Sequence, residues 1–99
     1  MTDLEMTRLC AEAMYGDRFL EFGGKILLPN MRSESNGYDP LNNNAQAMAL
    51  VKRFGMEMSR AQTGEWFVRH FLCGSEAIIN TDLNRAIVEC VAKMQSAKK

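Results

Sequence analysis

The sequence predicts a small α+β domain in which three helices pack on one antiparallel sheet of three to four strands, in the order α-β-β-α-β-β-α. Two observations lead to this class. Three segments repeat apolar residues at helical spacing and begin at residues that commonly cap helices. Between them lie two pairs of apolar or alternating runs joined by glycine-containing turns, which is typical of antiparallel hairpins.

The first helix and the hairpin after it are predicted from local signals. Thr2 can cap a helix with one apolar stripe, and Gly16 can end it. The apolar runs 19–22 and 25–28 then flank two glycines, which can both take the positive φ of a tight turn. We therefore expect one helix followed by a two-stranded hairpin.

The connection from 30 to 44 is rich in Asn, Ser, Gly and Pro. A connection of this length exceeds most loops in compact domains, and such loops often carry function. Its candidate binding residues are Tyr38, Asp39, Asn42 and Asn43. In the functional interpretation, Tyr38 and several amides converge on a surface beside a helix N-terminus and recognise an anion or a peptide. The structural interpretation, an aromatic anchor, a prolyl bend and an Asn cap, is favoured because capping alone explains most of these residues.

The second helix is predicted to begin after Asn43 or Asn44 and to end at Phe54, with Gly55 as its stop. The alternating run 56–60 predicts a strand. The last helix is predicted to follow a cap at Asn80-Thr81-Asp82. Its apolar stripe contains Leu83, Ala86, Ile87, Cys90, Val91 and Met94.

A further strand, 65–72, is rich in aromatic residues. Alternation places Phe67, Arg69 and Phe71 on one side and Trp66, Val68 and His70 on the other. Large side chains on both faces predict a sheet that is covered twice or that leaves one face for a partner. Trp66 and Phe67 are therefore the second pair of candidate binding residues.

No pattern in the sequence predicts catalysis, a metal or a cofactor. His70 and Cys73 stand three apart, and on one strand such side chains point to opposite faces, a constraint that weakens if the strand ends by Leu72. The cysteines lack the paired short spacings of zinc sites, and Cys10 and Cys90 fall on helix stripes as buried hydrophobes. Gly23-Gly24-Lys25 precedes a strand, whereas a phosphate loop precedes a helix.

The bulk composition limits the remaining classes. The 99 residues predict one domain, 1–99, with a frayed tail from about 96. Twelve basic and twelve acidic residues give a net charge of zero, which argues against nucleic acid as a partner. Three cysteines, no apolar N-terminal signal and no long apolar run predict a protein of the cytosol without a membrane segment.

One stretch carries a resemblance to known families: Tyr38-Asp39-Pro40-Leu41-Asn42-Asn43-Asn44-Ala45-Gln46-Ala47, followed by a short helix, alternating strands and a helix opening Leu83-Asn84-Arg85-Ala86-Ile87. In this it resembles the phage ABA-sandwich proteins and the related NinX-like phage proteins, over most of the chain from Leu4 to Met94. The chain departs from them in having Tyr38 where tryptophan is common. The resemblance implies a small α+β fold and a phage or prophage origin. It supplies no activity and no catalytic residues.

Together these observations predict a non-enzymatic accessory protein that binds a host component in the host cytosol. Interference with a host defence system would be typical of small phage proteins of this kind. The alternative is a binder of a small anionic ligand such as a nucleotide signal. No cofactor is expected, and a homodimer is left open.

Overall fold

The computed structural model describes residues 2–29, 37–70 and 77–97. Within these ranges the chain forms three helices and five short strands. In chain order they are α1 (Asp3–Tyr15), β1 (Leu20–Phe22), β2 (Lys25–Leu27), α2 (Asn44–Phe54), β3 (Glu57–Arg60), β4 (Trp66–Arg69), β5 (Ile78–Asn80) and α3 (Leu83–Ala97). The α+β class is confirmed, with one strand more than predicted. Predictions that involve residues 30–36 and 71–76, among them Phe71 and Cys73, fall outside the described residues.

The ends of the first two helices are those that the capping residues predict. The Thr2 hydroxyl accepts a hydrogen bond from the N–H three residues later, at 3.1 Å, and the N–H of Gly16 bonds back to the helix. The Asn43 side chain accepts from the Gln46 N–H at 3.0 Å. Gly55 ends α2 in the left-handed conformation. Such bonds satisfy backbone groups that a helix terminus leaves without partners.

Strands β1 and β2 form a separate two-stranded sheet, which corrects the prediction of one common sheet. The turn between them is Gly23-Gly24, both with positive φ. Along the second edge of β2, the Tyr38 N–H donates to the Ile26 carbonyl at 2.6 Å. The returning connection therefore takes the place on this edge that another strand would need.

Strands β3, β4 and β5 form an antiparallel sheet in that order. The unpredicted strand is β5, in which Ile78 pairs with Val68. Its last residue, Asn80, belongs to the predicted cap of α3. Asp82 does cap that helix, because its carboxylate accepts from the Arg85 N–H at 3.3 Å. The cap was recognised in the sequence and the strand that leads into it was not.

Helix α3 lies at the centre of the core and contacts α1, α2, β4 and β5. Contact on more than one side explains why Val88 and Ala92 are buried in addition to the predicted stripe. Cys10 and Cys90 are fully buried, as predicted for core positions. The helix continues to Ala97, into the predicted tail. None of the helices described for this chain combines the length and the apolar character that crossing a membrane requires.

Candidate binding surfaces

Tyr38, the first candidate residue, is a core residue with 3% of its surface exposed. Its ring meets the ring of Tyr15 edge to face, with centroids 5.8 Å apart. This corrects the expectation of an exposed Tyr38 that converges with amides on a surface. The ring is buried because the backbone bond to Ile26 holds Tyr38 alongside β2. The predicted aromatic anchor is the interpretation that fits.

The Tyr38 hydroxyl is buried and has no hydrogen-bond partner among the described residues. Burial raises the pKa of this phenol far above its usual range, and the nearby Cys10 and Tyr15 raise it further. A buried hydroxyl without a partner loses its bonds to water and gains none in return. The Tyr38 ring therefore anchors the connection through apolar contacts, while its buried hydroxyl lowers the free energy of unfolding.

Hydrogen bonds within the connection and to the start of α2 involve Asp39, Asn42 and Asn43. The Asp39 N–H donates to the Gln46 side-chain oxygen at 2.6 Å, and the Asn42 amide donates to the Asp39 carboxylate at 2.8 Å. Asn43 is the helix cap. Pro40 is fully buried between these polar residues. Each predicted polar residue thus has a structural role at the helix start.

A shallow depression of about 220 Å³ lies beside this segment. Asp39 and Asn42 line it from the connection, Asp3 and Thr7 from α1, and Lys25 from β2. Asp3 is paired with the Arg85 guanidinium at 3.0 Å, and Asp39 and Lys25 bring one charge of each sign. The charges around the depression therefore balance, so it has no excess of positive charge to attract an anion.

Trp66 and Phe67 are adjacent on β4 and point to opposite faces, so the predicted residues do not form a single site. Trp66 is half-buried, and the Arg60 guanidinium lies 5.6 Å from its ring centre. Val68, which shares the Trp66 face, is fully buried. Phe67 belongs to the other face, where the sheet is more open.

We call that other face the outer sheet face; its residues are Glu57, Ser59, Phe67, Arg69 and Ile79. Strand register places Ser59, Phe67 and Ile79 in one row across the sheet, and Glu57 beside Arg69 in the next. Ile79 is 51% exposed. Arg69 and Glu57 form an ion pair at 2.7 Å. An open depression of about 500 Å³ lies over the part of this face formed by Glu57, Ser59, Phe67 and Arg69, and Ile79 is outside it.

A second exposed apolar surface was missed by the sequence analysis. We call it the hairpin face; its residues are Leu20, Phe22, Lys25 and Leu27. Leu20 and Phe22 are 72% and 70% exposed, more than any other large apolar side chain in the described ranges. The signal was the alternation Leu20-Glu21-Phe22, but alternation alone does not indicate which side of a hairpin meets the core.

The buried titratable groups lie apart from both surfaces. Burial raises the pKa of the Cys10 thiol to about 12, and its sulfur donates to the Val88 carbonyl at 3.6 Å. His70 is buried at the end of β4, with its ring edge-to-face against Phe54 at 6.5 Å. In the part of the chain that the structure describes, no three His, Cys, Asp or Glu side chains are grouped as metal ligands would be.

Comparison with known proteins found no matching family model, no matching curated protein and no matching solved structure. The resemblance to the phage ABA-sandwich and NinX-like families therefore stays a prediction from the motif around Tyr38.

Proposed function

We propose that this chain is a non-enzymatic binding protein that engages another protein through its outer sheet face. The observation that carries the proposal is the exposure of Ile79, next to Phe67, on a sheet face whose opposite side packs on α3. Surface apolar groups that lie side by side on a regular element, with charged residues around them, are common in protein interfaces.

The chemistry of the outer sheet face suits a protein partner. Phe67 offers an aromatic surface and Arg69 a guanidinium, which are two of the groups enriched at interface centres. Glu57 balances Arg69 at 2.7 Å, so the face carries no excess charge. A neutral surface with a row of apolar side chains favours a partner that covers those side chains and removes them from water. It offers no excess of positive charge to a small anion, and neither does the depression beside Asp39.

The partner's identity as a host component, and a role against host defence, rest on the resemblance to phage accessory proteins. That part of the proposal therefore needs a test in which the partner is found. We expect affinity capture from bacterial lysate to enrich one protein with the wild type, and to lose it with Ile79→Lys. A buried lysine without a counter-charge would be costly in the centre of an interface.

Leu20→Lys is the matched control, since it also replaces an exposed branched apolar side chain by lysine, but on the hairpin face. It should retain the captured protein. Titration of the purified partner should then give a dissociation constant raised at least tenfold by Ile79→Lys and unchanged by Leu20→Lys. Capture of nothing by the wild type, or equal retention by both variants, would contradict the proposal.

A further inference from the structure

The pairing of β1 with β2 determines which backbone N–H and C=O groups lie at the free edge of β1. In a two-residue hairpin turn such as Gly23-Gly24, the flanking residues Phe22 and Lys25 form a hydrogen-bonded pair. The next pair, Glu21 and Ile26, is then the pair whose backbone groups point away from each other. The Ile26 carbonyl does point away, since it accepts from Tyr38 on the far side of β2.

The N–H and C=O of Glu21 therefore point outward, to the edge of β1 that no described strand covers. An exposed strand edge with free donors and acceptors is a template for pairing with another strand. Natural edges are usually protected by charges, prolines or bulges, but Leu20 and Phe22 flank Glu21 here and are the most exposed large apolar residues described.

The sequence around Glu21 is self-complementary for antiparallel pairing. When two copies of β1 pair about a two-fold axis at Glu21, Glu21 meets its counterpart in a hydrogen-bonded pair. Leu20 of each copy then lies opposite Phe22 of the other, on the hairpin face. Directly opposite aromatic and aliphatic side chains are favourable cross-strand pairs. The two-fold axis creates both Leu20–Phe22 contacts at once.

Charge on the opposite face also matches. The two Glu21 carboxylates would meet there, which alone would be unfavourable. Each carboxylate, however, already accepts from Arg8 Nε of its own chain at 2.6 Å, and both side chains are 39% exposed. The two-fold therefore brings two Arg8–Glu21 ion pairs together, in which each arginine lies near the carboxylate of the second copy.

We propose that this chain forms a symmetric homodimer by antiparallel pairing of β1 with β1 of a second copy, centred on Glu21. The joined hairpins make one four-stranded sheet whose outer side carries two Leu20 and two Phe22. The paired strands are three residues long, so the buried area is small and the dimer belongs to the weak, reversible class.

Sedimentation equilibrium over micromolar to millimolar concentrations tests the dimer. The wild type should associate to a dimer, and Phe22→Lys should raise the dissociation constant at least tenfold by setting charge against Leu20 of the partner. Ile79→Lys, on the outer sheet face, is the matched control and should leave the constant within twofold. Because these positions are exposed, circular dichroism of each variant should match the wild type.

Oxidative cross-linking tests the register. Residues in a hydrogen-bonded antiparallel pair have Cα atoms about 5.5 Å apart, within reach of a disulfide. Glu21→Cys should therefore give a covalent dimer rapidly. Leu20→Cys should not, since two Leu20 positions lie roughly 8 Å apart in this register. The wild type, with its natural cysteines, supplies the background.

Three outcomes would overturn the proposal: a monomer at every concentration, a dimer that Phe22→Lys leaves intact, or equal cross-linking of both cysteine variants. Loss of the captured lysate protein in Leu20→Lys, with the wild type monomeric, would instead assign the hairpin face to a foreign partner. The dimer does not depend on the outer sheet face, so either proposal can fail while the other stands.

Discussion

At the scale of single residues, Tyr38 combines a well-packed ring with a poorly placed hydroxyl. The ring contacts Tyr15, and only 3% of the residue is exposed. The hydroxyl oxygen has no partner among the described residues. A buried polar group without a hydrogen bond costs on the order of 1–3 kcal/mol of stability. Phenylalanine would keep the ring and remove the cost.

We therefore expect Tyr38→Phe to raise the free energy of unfolding by roughly 1 kcal/mol. Tyr38→Ala should lower it by about 3–5 kcal/mol, because it leaves a cavity. Urea denaturation followed by circular dichroism measures both. Tyr15→Phe, at the half-buried neighbouring ring, is the control and should change little. A less stable Tyr38→Phe would show that the hydroxyl has a useful partner.

The capping residues could be read from the sequence because a cap depends on backbone groups only two or three residues away. Thr2, Asn43 and Asp82 are examples. The contact that buries Tyr38, which the sequence predicted only as an aromatic anchor, could not be read in the same way. It depends on a backbone bond to Ile26, twelve positions earlier in the chain, and nothing in the local composition indicates that contact.

At the scale of elements, the same distinction separates the hairpin from the larger sheet. The β1–β2 hairpin is specified by its own glycine turn and was predicted. Strand β5 has three residues and pairs with β4 across the eight residues 70–77. A pattern of three residues is too short to indicate a strand from the sequence. Missing β5 also meant missing Ile79, the most exposed apolar residue of the outer sheet face.

The contact between the connection and β2 depends on a glycine. Gly37 has φ +80°, and a Cβ at this position would lie 2.7 Å from the Ile26 carbonyl oxygen. Gly24 has a similar φ of +77°, with nothing within 4 Å of an added Cβ. Alanine would therefore introduce backbone strain at both positions, because φ is positive at both. Only at Gly37 would it also introduce a steric clash.

We expect Gly24→Ala to cost about 1–2 kcal/mol of unfolding free energy, the usual penalty for alanine in the left-handed region. Gly37→Ala should cost at least about 1 kcal/mol more, because backbone must move to relieve the clash. Chemical denaturation of the two variants side by side gives the difference directly. Equal costs would mean that the connection moves away from β2 without loss.

At the scale of the whole molecule, the two exposed faces belong to different sheets with different supports. The three-stranded sheet packs on α3, whereas the hairpin packs on α1. A substitution on one face therefore changes neither the packing nor the charges of the other, which is why each supplies the control for the other. From the aromatic residues of β4, the sequence predicted a sheet that is either covered twice or leaves one face for a partner, and it gave no indication of a second sheet.

Global stability should fall at alkaline pH because α1 and α3 enclose a thiol. Burial raises the pKa of Cys10 from 9.0 to about 12. Below pH 9 the thiol is protonated in both the folded and the unfolded chain, so it does not change the free energy of unfolding. As the pH rises from 9 towards 12, the thiol ionises in the unfolded chain first, and the free energy of unfolding falls. For this one group the loss between pH 8 and pH 10 is on the order of 1 kcal/mol.

Cys10→Ala removes the titrating group from a position where the side chain is fully buried. The variant should be less stable than the wild type at pH 8, since it loses packing atoms, but its stability should fall less steeply up to pH 10. Urea denaturation at pH 8, 9 and 10 under reducing conditions measures both slopes. Groups distant from Cys10 titrate alike in both proteins and cancel in the difference, whereas Tyr38, whose pKa Cys10 helps to raise, contributes to it. Parallel slopes would mean that the Cys10 thiol ionises as readily in the folded chain as in the unfolded one, and that the α1–α3 contact opens to water.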